Sequence, residues 1–180
     1  MRKIERVEER VAYRNEFVTV FDDKVLFPSG RSGTYLRIEA SGGHPGVVLV
    51  PIHNDRLGLV FNFRYPIARF QWAFARGFSI DGDVETSAHT ELFEELGATA
   101  SSFELLGHVT PDSGLQSSRV AVLLAHVAVV SAPTDRDEVA ATQWVTLDEM
   151  LTLVDEGEIE DAFTLSALMI YLRRRGQVAS

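Results

Sequence analysis

The sequence predicts a single α+β domain in which helices pack on a mixed β-sheet. Short apolar or alternating segments recur along most of the chain. Clusters of Gly, Pro, Asn and Asp separate them, as is typical of strands joined by turns. Helical signals mark one segment in the middle of the chain and two near its end. The length of 180 residues, with 46% hydrophobic and 24% charged residues, is that of one ordinary globular domain.

The first half of the chain predicts six strands. An unbroken apolar run at 47–52 fits a buried strand, and a turn at 53–55 joins it to the next strand as a hairpin. A Tyr-Pro pair at 65–66 ends that second strand. The predicted strands are 16–21, 24–28, 34–40, 47–52, 56–64 and 71–74.

The second half of the chain opens with a helix in the segment 77–98. Gly97 is expected to end this helix, because glycine readily adopts the left-handed conformation of a helix cap. Thr146 and Glu149 have the spacing of a capping box, which opens a short helix. The remaining predicted elements are strands at 103–109, 120–130 and 142–145 and helices at 147–155 and 159–175.

Three glutamates, Glu91, Glu94 and Glu95, lie within one turn of the central helix. At about 100° per residue, their side chains fall within roughly a third of the circumference. Like charges at this spacing each destabilise an isolated helix by about 0.2–0.5 kcal/mol, so the cluster favours a divalent cation such as Mg²⁺ or Mn²⁺. Charge runs are common on helix faces, so the spacing alone more often indicates a solvated acidic surface. The adjoining arc, which is predicted to pack inward, carries Ala88, Leu92 and Leu96.

Composition excludes several classes of function. A formal net charge of −9 argues against a nucleic-acid partner, which requires a basic face. No run of about 18 apolar residues is present, so no membrane span is expected. The charged N-terminal segment has no apolar stretch typical of a secretion signal, and the chain has no cysteine, which fits a cytoplasmic protein.

The segment around the glutamates resembles the Nudix box, GX5EX7REUXEEXGU, where U is aliphatic. The residues ELFEELGA at 91–98 match its second half at every position, and Gly77 matches its opening glycine. The spacing between them is one residue shorter than the pattern. Asp83 replaces a glutamate of the motif, and Thr90 replaces its arginine, which in the family orients a neighbouring glutamate. The metal-binding half is therefore intact, while its support is reduced.

Four further stretches resemble the ADP-ribose, or nucleoside diphosphate sugar, pyrophosphatase branch of that family. The resemblance implies a Nudix α/β/α sandwich with a mixed sheet over residues 46–180. It also implies an N-terminal antiparallel strand segment over 1–45, which usually takes part in forming a homodimer. In the segment similar to WELPAG, Ala73 replaces the Glu and Ala75 the Pro. The four stretches are 28–39, 62–67, 72–78 and 157–168.

The resemblance also implies the residues of an active site. One to three Mg²⁺ or Mn²⁺ ions would be held by Glu91 and Glu95, with Glu94 and the backbone carbonyl of Arg76 as further ligands. Arg64, at the position of the arginine in the QYR segment, would contact a phosphate or ribose of the substrate. Arg119, which follows a polar loop, is a second candidate of this kind.

The general base is left open by the sequence. The ADP-ribose branch often uses a glutamate on the loop after the box, but the corresponding residues 113–118 contain no carboxylate. Asp112 is the nearest candidate, although Asp in a Pro-Asp-Ser-Gly run more often caps a turn. Glu91 and a hydroxide on the metal ion are the alternatives.

The leading hypothesis is Mg²⁺-dependent hydrolysis of the pyrophosphate bond in a nucleoside diphosphate linked to another group. ADP-ribose or an ADP-sugar is the first substrate to consider. The replaced arginine, the shortened spacing and the missing loop glutamate favour an alternative, a Nudix-like domain that binds or senses a nucleotide without efficient turnover. Hydrolysis of a nucleoside triphosphate or a CoA derivative is a third possibility.

Overall fold

A computed structural model describes residues 2–79, 82–135 and 137–178 of the protein. Within these ranges there are eleven strands and three α-helices. The strands are β1 (Glu5–Glu8), β2 (Val11–Arg14), β3 (Val18–Leu26), β4 (Ser32–Ala40), β5 (Gly46–His53), β6 (Arg56–Arg64), β7 (Arg69–Ala73), β8 (Arg76–Phe78), β9 (Ala98–Val109), β10 (Val120–Val130) and β11 (Val139–Val145). The helices are α1 (Val84–Leu96), α2 (Leu147–Asp155) and α3 (Ala162–Val178).

The larger sheet is mixed and has seven strands. Its main order is β11-β6-β5-β10-β9, with β7 paired to β6 and β8 paired to β5. The β5–β10 pair is parallel, and the other pairs are antiparallel. Helix α1 covers one face of this sheet, and α2 and α3 cover the other. The predicted α+β class and the Nudix α/β/α sandwich are therefore confirmed.

The buried strand β5 shows how the sequence specifies this sandwich. Val48 and Val50 belong to the core cluster under α2 and α3, whereas Val47 and Leu49 belong to the cluster under α1. Because helices cover both faces, every side chain of the strand must be apolar, and the sequence reads as an unbroken run. The hairpin predicted at 53–55 joins β5 to β6 as expected.

The N-terminal strands form a separate sheet, in which β1 and β2 pair with one edge of β3 and β4 pairs with the other. The predicted break between strands at 16–21 and 24–28 is wrong, since β3 is continuous. Asp23 lies inside it, only 4% exposed, and accepts a hydrogen bond from Arg37 Nε at 3.1 Å. This partner allows a carboxylate to remain in the middle of a strand.

Two backbone hydrogen bonds join the N-terminal sheet to the loop between β9 and β10. The backbone N–H of Ile38, in β4, donates to the carbonyl of Leu115 at 2.8 Å, and the N–H of Ser117 donates to the carbonyl of Ile38 at 3.2 Å.

Several boundaries of the helices and strands also differ from the prediction. Strand β9 begins directly after Gly97, and β8 is absent from the predicted strands. Helix α3 begins at Ala162, because Asp161 accepts the backbone N–H of Thr164 as an N-cap residue does.

Helix α1 is capped at both ends, by a side chain at its N-terminus and by a glycine at its C-terminus. Asp83 accepts the N–H groups of Glu85 and Thr86 and so acts as the N-cap. Gly97 ends the helix with a φ of 64°, as predicted, and donates its N–H to Phe93 at 3.0 Å. The capping box of α2 is also confirmed.

Over the described ranges, no helix is both long enough and apolar enough to cross a membrane.

Candidate active site

Helix α1 presents its three clustered glutamates to different environments. Leu92 and Leu96 are buried against the sheet, as their spacing predicts, and this fixes the rotation of the helix. Glu95 is only 5% exposed, Glu91 is half-buried and Glu94 is exposed. The fold therefore distinguishes two carboxylates on the inner side of the helix from a third on its surface.

Gly77, in the middle of β8, lies directly against the carboxylate of Glu91. A Cβ atom added at Gly77 would stand 1.8 Å from Glu91 Oε1 and 2.2 Å from its Cδ. No side chain fits at this distance without moving the glutamate. The opening glycine of the motif is thus explained by the close approach of a strand backbone to a carboxylate.

The carboxylate of Glu95 is held by two donors from the sheet. The backbone N–H of Arg76 donates to Oε2 at 3.1 Å, and the side-chain amide of Asn62 donates to Oε1 at 3.3 Å. Asn62 is itself fully buried in β6. The carboxylate of Glu91, by contrast, accepts no hydrogen bond from the residues that the structure describes. One carboxylate of the pair is therefore fixed, and the other is available to a ligand.

Burial and neighbouring negative charges raise the pKa of both inner glutamates. Burial, followed by the charge of Glu94, raises the pKa of Glu91 to about 7. Burial, followed by the charge of Glu91, raises the pKa of Glu95 to about 7 despite the N–H bond from Arg76. Two desolvated carboxylates in repulsion are stabilised by a proton or by a metal cation.

The metal-free protein is expected to gain stability as the pH falls from about 8 to about 5. An unfolded glutamate has its ordinary pKa of 4.5, whereas Glu91 and Glu95 titrate near 7 in the folded protein. Between these values the folded state binds more protons, so the free energy of unfolding decreases as the pH rises. Urea unfolding in EDTA at pH 5, 6, 7 and 8 measures this slope.

The variant Glu95→Gln serves as the control for this pH dependence. It removes one of the two titrating groups, so its slope should be clearly smaller. The pKa values of Asp83 and Glu149 are lowered by hydrogen bonds, chiefly from Thr86 and Thr146 respectively, and these groups act below about pH 4.5. A stability that rises from pH 5 to pH 8 in EDTA would contradict the assignment.

A cavity of about 180 Å³ adjoins Gly77, and Arg64, Arg76 and Glu138 contribute charged groups to its wall. The Nε and Nη2 atoms of Arg64 are buried and have no hydrogen-bond partner among the described residues. Burial, with the neighbouring charge of Arg76, lowers the pKa of Arg64, but a guanidinium remains protonated at physiological pH. Buried N–H donors without acceptors are costly, so this wall of the cavity suits an anionic ligand.

Asp112 and Arg119, the two remaining candidates, lie on the loop between β9 and β10. Asp112 is exposed, and its Oδ1 atom accepts the N–H of Gly114 at 3.0 Å, so its carboxylate caps a turn. Arg119 is exposed and contacts His108 Nδ1 at 3.1 Å. Their roles as base and substrate contact stay predictions, as do the predicted roles of the other site residues, Glu91, Glu94, Glu95, Arg64 and the carbonyl of Arg76.

The structure adds two site residues that the sequence did not indicate. Asn62 could have been noticed as a polar residue in the apolar strand β6. Glu138 gave no signal, because it lies in a polar loop far from the motif. That loop is docked on α1 by the N–H of Asp135, which donates to the backbone carbonyl of Glu94 at 2.9 Å. It thereby brings Glu138 close enough to raise the pKa of Glu91 further.

The donor chemistry of this site fits a divalent metal ion. Carboxylate oxygens are the ligands that Mg²⁺ and Mn²⁺ prefer, and a cation would relieve the repulsion between Glu91 and Glu95. As the side chains stand in the described parts of the chain, no three His, Cys, Asp or Glu residues are grouped closely enough to hold a metal. Glu91 and Glu95 are the two inner carboxylates that could hold such an ion, and Glu94 stays a predicted further ligand.

Comparison with known proteins agrees with this geometry. The family model for the NUDIX domain matches residues 43–168. A Streptomyces rubellomurinus CMP-5'-(N-acetyl-N-hydroxy-3-aminopropyl)phosphonate hydrolase is 26% identical over 168 residues, covering 91% of this chain and 80% of that protein. A Bacillus subtilis ADP-ribose pyrophosphatase is 28% identical over 162 residues, covering 87% and 85%.

Among solved structures, an ADP compounds hydrolase superposes with a TM-score of 0.83 at 23% identity, over 98% of this chain and 97% of its own. That likeness establishes the fold. With the family match over residues 43–168, the chain belongs to the Nudix family. It is a Nudix hydrolase, and members of this family generally use a divalent metal ion.

Proposed function

We propose that the protein hydrolyses the pyrophosphate bond of a nucleoside diphosphate linked to another group, with Mg²⁺ or Mn²⁺ as cofactor. The observation that carries the proposal is the pair of inner glutamates on α1, Glu95 buried and Glu91 half-buried beside Gly77. Gly77 also adjoins the cavity in whose wall the Nε and Nη2 atoms of Arg64 have no acceptor among the described residues. An acidic pair close to an anion site suits a substrate that is a metal-bound diphosphate. A merely solvated acidic helix would have neither the burial nor the neighbouring arginine.

The residues of the site divide the work of this reaction. Glu91 and Glu95 would hold the metal ion, with Glu94 and the carbonyl of Arg76 as further ligands. When bound, the ion offsets the charge of the diphosphate and lowers the pKa of the attacking water. Arg64 binds a phosphate oxygen through its buried N–H groups, which have no other acceptor in the described structure. Arg119 is a second contact of this kind in the proposal.

Glu138 joins Asp112 as a candidate general base. Its carboxylate contributes to the wall of the same cavity as Arg64, and its charge reaches Glu91. The carboxylate of Asp112 instead accepts a backbone N–H in its own turn. A base must lie within hydrogen-bond reach of the water that it deprotonates, so position favours Glu138.

Glu138→Gln is expected to lower kcat by about 10²-fold with little change in KM, because general bases contribute roughly 10²–10⁴. Asp112→Asn, which keeps the oxygen that caps the turn, is the matched comparison and should change kcat less than about threefold. Both are measured at saturating Mg²⁺. The reverse ranking of the two variants would assign the base to Asp112 and exclude Glu138.

The substrate is tested with a panel of compounds and Mg²⁺, with phosphomonoester release as the readout. ADP-ribose and ADP-sugars come first, since two of the similar proteins are named for ADP compounds. A CMP-linked phosphonate is included because another relative is named for such a compound. Nucleoside triphosphates and CoA derivatives complete the panel. Absence of release from every compound, with Mg²⁺ or Mn²⁺, would overturn the proposal.

The alternative function, nucleotide binding or sensing without efficient turnover, is favoured by Thr90 and the shortened box. Isothermal titration with the same panel separates the two functions. Tight binding without product supports the sensor, and product formation supports the enzyme.

We also propose a cytoplasmic homodimer, with no nucleic-acid or membrane partner, formed through the N-terminal strands of residues 1–45. Val7, Val11 and Tyr13 are more than half exposed on β1 and β2 and would be covered in such a dimer. Sedimentation velocity measures the mass of the particle in solution. A monomer at micromolar concentration would contradict the dimer.

A further inference from the structure

The backbone and the side chain of Arg76 are held by different carboxylates. Its backbone N–H donates to Glu95 at 3.1 Å, whereas its guanidinium Nη2 donates to Asp161 Oδ1 at 3.2 Å. The guanidinium carbon also lies 4.6 Å from the centre of the Phe163 ring, which is a favourable cation–π contact. Two contacts from the start of α3 thus fix the direction of this side chain.

Asp161 is well placed to hold a cation, because its own position is fixed. Its side chain is buried, and its Oδ2 atom accepts both the backbone N–H and the hydroxyl of Thr164, at 2.9 Å and 2.8 Å. The hydroxyl oxygen of Thr164 in turn accepts the N–H of Phe74 at 3.0 Å. Through Thr164, Asp161 is therefore connected to the short segment between β7 and β8 that leads into Arg76.

Without Asp161, the guanidinium would be free to turn towards other carboxylates near it, including Glu91 and Glu95. Arg76 precedes Gly77, whose backbone touches Glu91. Its charge already reaches both Glu91 and Glu95, since it lowers the pKa of each. Arg64, in the wall of the same cavity, repels Arg76. Glu91, which accepts no hydrogen bond within the described structure, is the acceptor that a released guanidinium would occupy.

We propose that Asp161 is a positioning residue that keeps the guanidinium of Arg76 away from Glu91 and Glu95, so that both carboxylates remain available to a divalent cation. The inference rests on the proposed function only in requiring that a metal ion binds this pair. It assigns Asp161 a role beyond capping α3. It also explains how an arginine is tolerated beside a metal site.

The experiment measures Mn²⁺ binding to the substrate-free full-length protein by electron paramagnetic resonance. Asp161→Asn keeps an oxygen for Thr164 but removes the charge that holds Arg76, and it should weaken Mn²⁺ binding about tenfold, as expected for one broken side-chain coupling. Arg76→Ala, which leaves the backbone N–H to Glu95 in place, should bind Mn²⁺ at least as tightly as the wild type.

The double variant Asp161→Asn with Arg76→Ala separates positioning from capping. If Asp161 acts through Arg76, the double variant binds Mn²⁺ like Arg76→Ala alone. If Asp161 only caps α3, the double variant stays as weak as Asp161→Asn, and the proposal is overturned. An unchanged affinity in Asp161→Asn overturns it as well. A wild type that binds no Mn²⁺ would instead refute the metal requirement of the proposed function.

Phe163→Leu provides a second route if Asp161→Asn fails to fold, as judged by circular dichroism. It removes the ring beneath the guanidinium but leaves Asp161 and its hydrogen bonds, and Phe163 is only partly buried. Mn²⁺ binding about threefold weaker than in the wild type is expected, because an exposed cation–π contact contributes about 0.5–1 kcal/mol. Unchanged binding in this folded variant would count against the proposal.

Discussion

Glu95→Gln is expected to lower kcat for the best substrate of the panel by at least about tenfold. A neutral amide is a poorer ligand for a hard cation than a carboxylate. The substitution also disturbs the local hydrogen bonds, because the two oxygens of Glu95 accept from Arg76 N and Asn62 Nδ2. A glutamine offers one oxygen, so one of these donors would face an NH₂ group and lose its acceptor.

The matched control is Glu85→Gln, which removes one negative charge from the same helix. Glu85 is exposed in the first turn of α1, so this variant tests the charge of the helix without touching the site. Its kcat should stay within about twofold of the wild type. Initial rates of phosphomonoester release over a range of Mg²⁺ concentrations compare the variants. An unchanged rate in Glu95→Gln would remove Glu95 from the site.

Local signals explain why much of this fold could be predicted from the sequence. Gly97 ends α1 through its own left-handed backbone conformation. The capping box of α2 is formed by Thr146 and Glu149 within a single turn. The apolar run in β5 indicates that the strand is buried on both faces, and this inference requires no knowledge of distant residues. Each of these features is contained within a few residues, so its physical cause is visible in the order of the amino acids.

The errors arise where a residue depends on a partner far along the chain. Asp23 remains inside β3 because Arg37 neutralises it from the adjacent strand. All residues of β1 and β2 are exposed, so burial leaves no alternating pattern in their sequence. Helical spacing placed three glutamates together, but only the sheet decides that Glu91 and Glu95 are desolvated. Spacing carries no information about what covers a helix face.

Glu138 shows the same limit for the candidate site. Its loop reaches α1 through backbone hydrogen bonds to Glu94, which have no side-chain signature in the sequence. The sequence therefore points to the loop after the box, where Asp112 is the only acidic residue. The glutamate that the fold brings to the cavity lies beyond β10.

Gly77→Ala is expected to reduce kcat at least as strongly as Glu95→Gln, by tenfold or more, although it removes no functional group. The added Cβ would stand 1.8 Å from Glu91 Oε1, so the carboxylate or the strand must move by more than an ångström. β8 pairs with β5 here, with Gly77 opposite Val47, so the backbone resists displacement and the glutamate is expected to shift. A carboxylate displaced by this distance no longer holds a metal ion in the geometry of the reaction.

Gly176→Ala is the control for this substitution, because a Cβ at Gly176 would crowd none of the residues that the structure describes, and alanine favours a helix. Its kcat should match the wild type, while its melting temperature stays equal or rises. Gly77→Ala should instead bind Mn²⁺ more weakly in proportion to its loss of rate, since both follow from the position of Glu91. Full activity in Gly77→Ala would mean that Glu91 tolerates displacement. In that case the contact between strand and carboxylate would be a matter of packing rather than of catalysis.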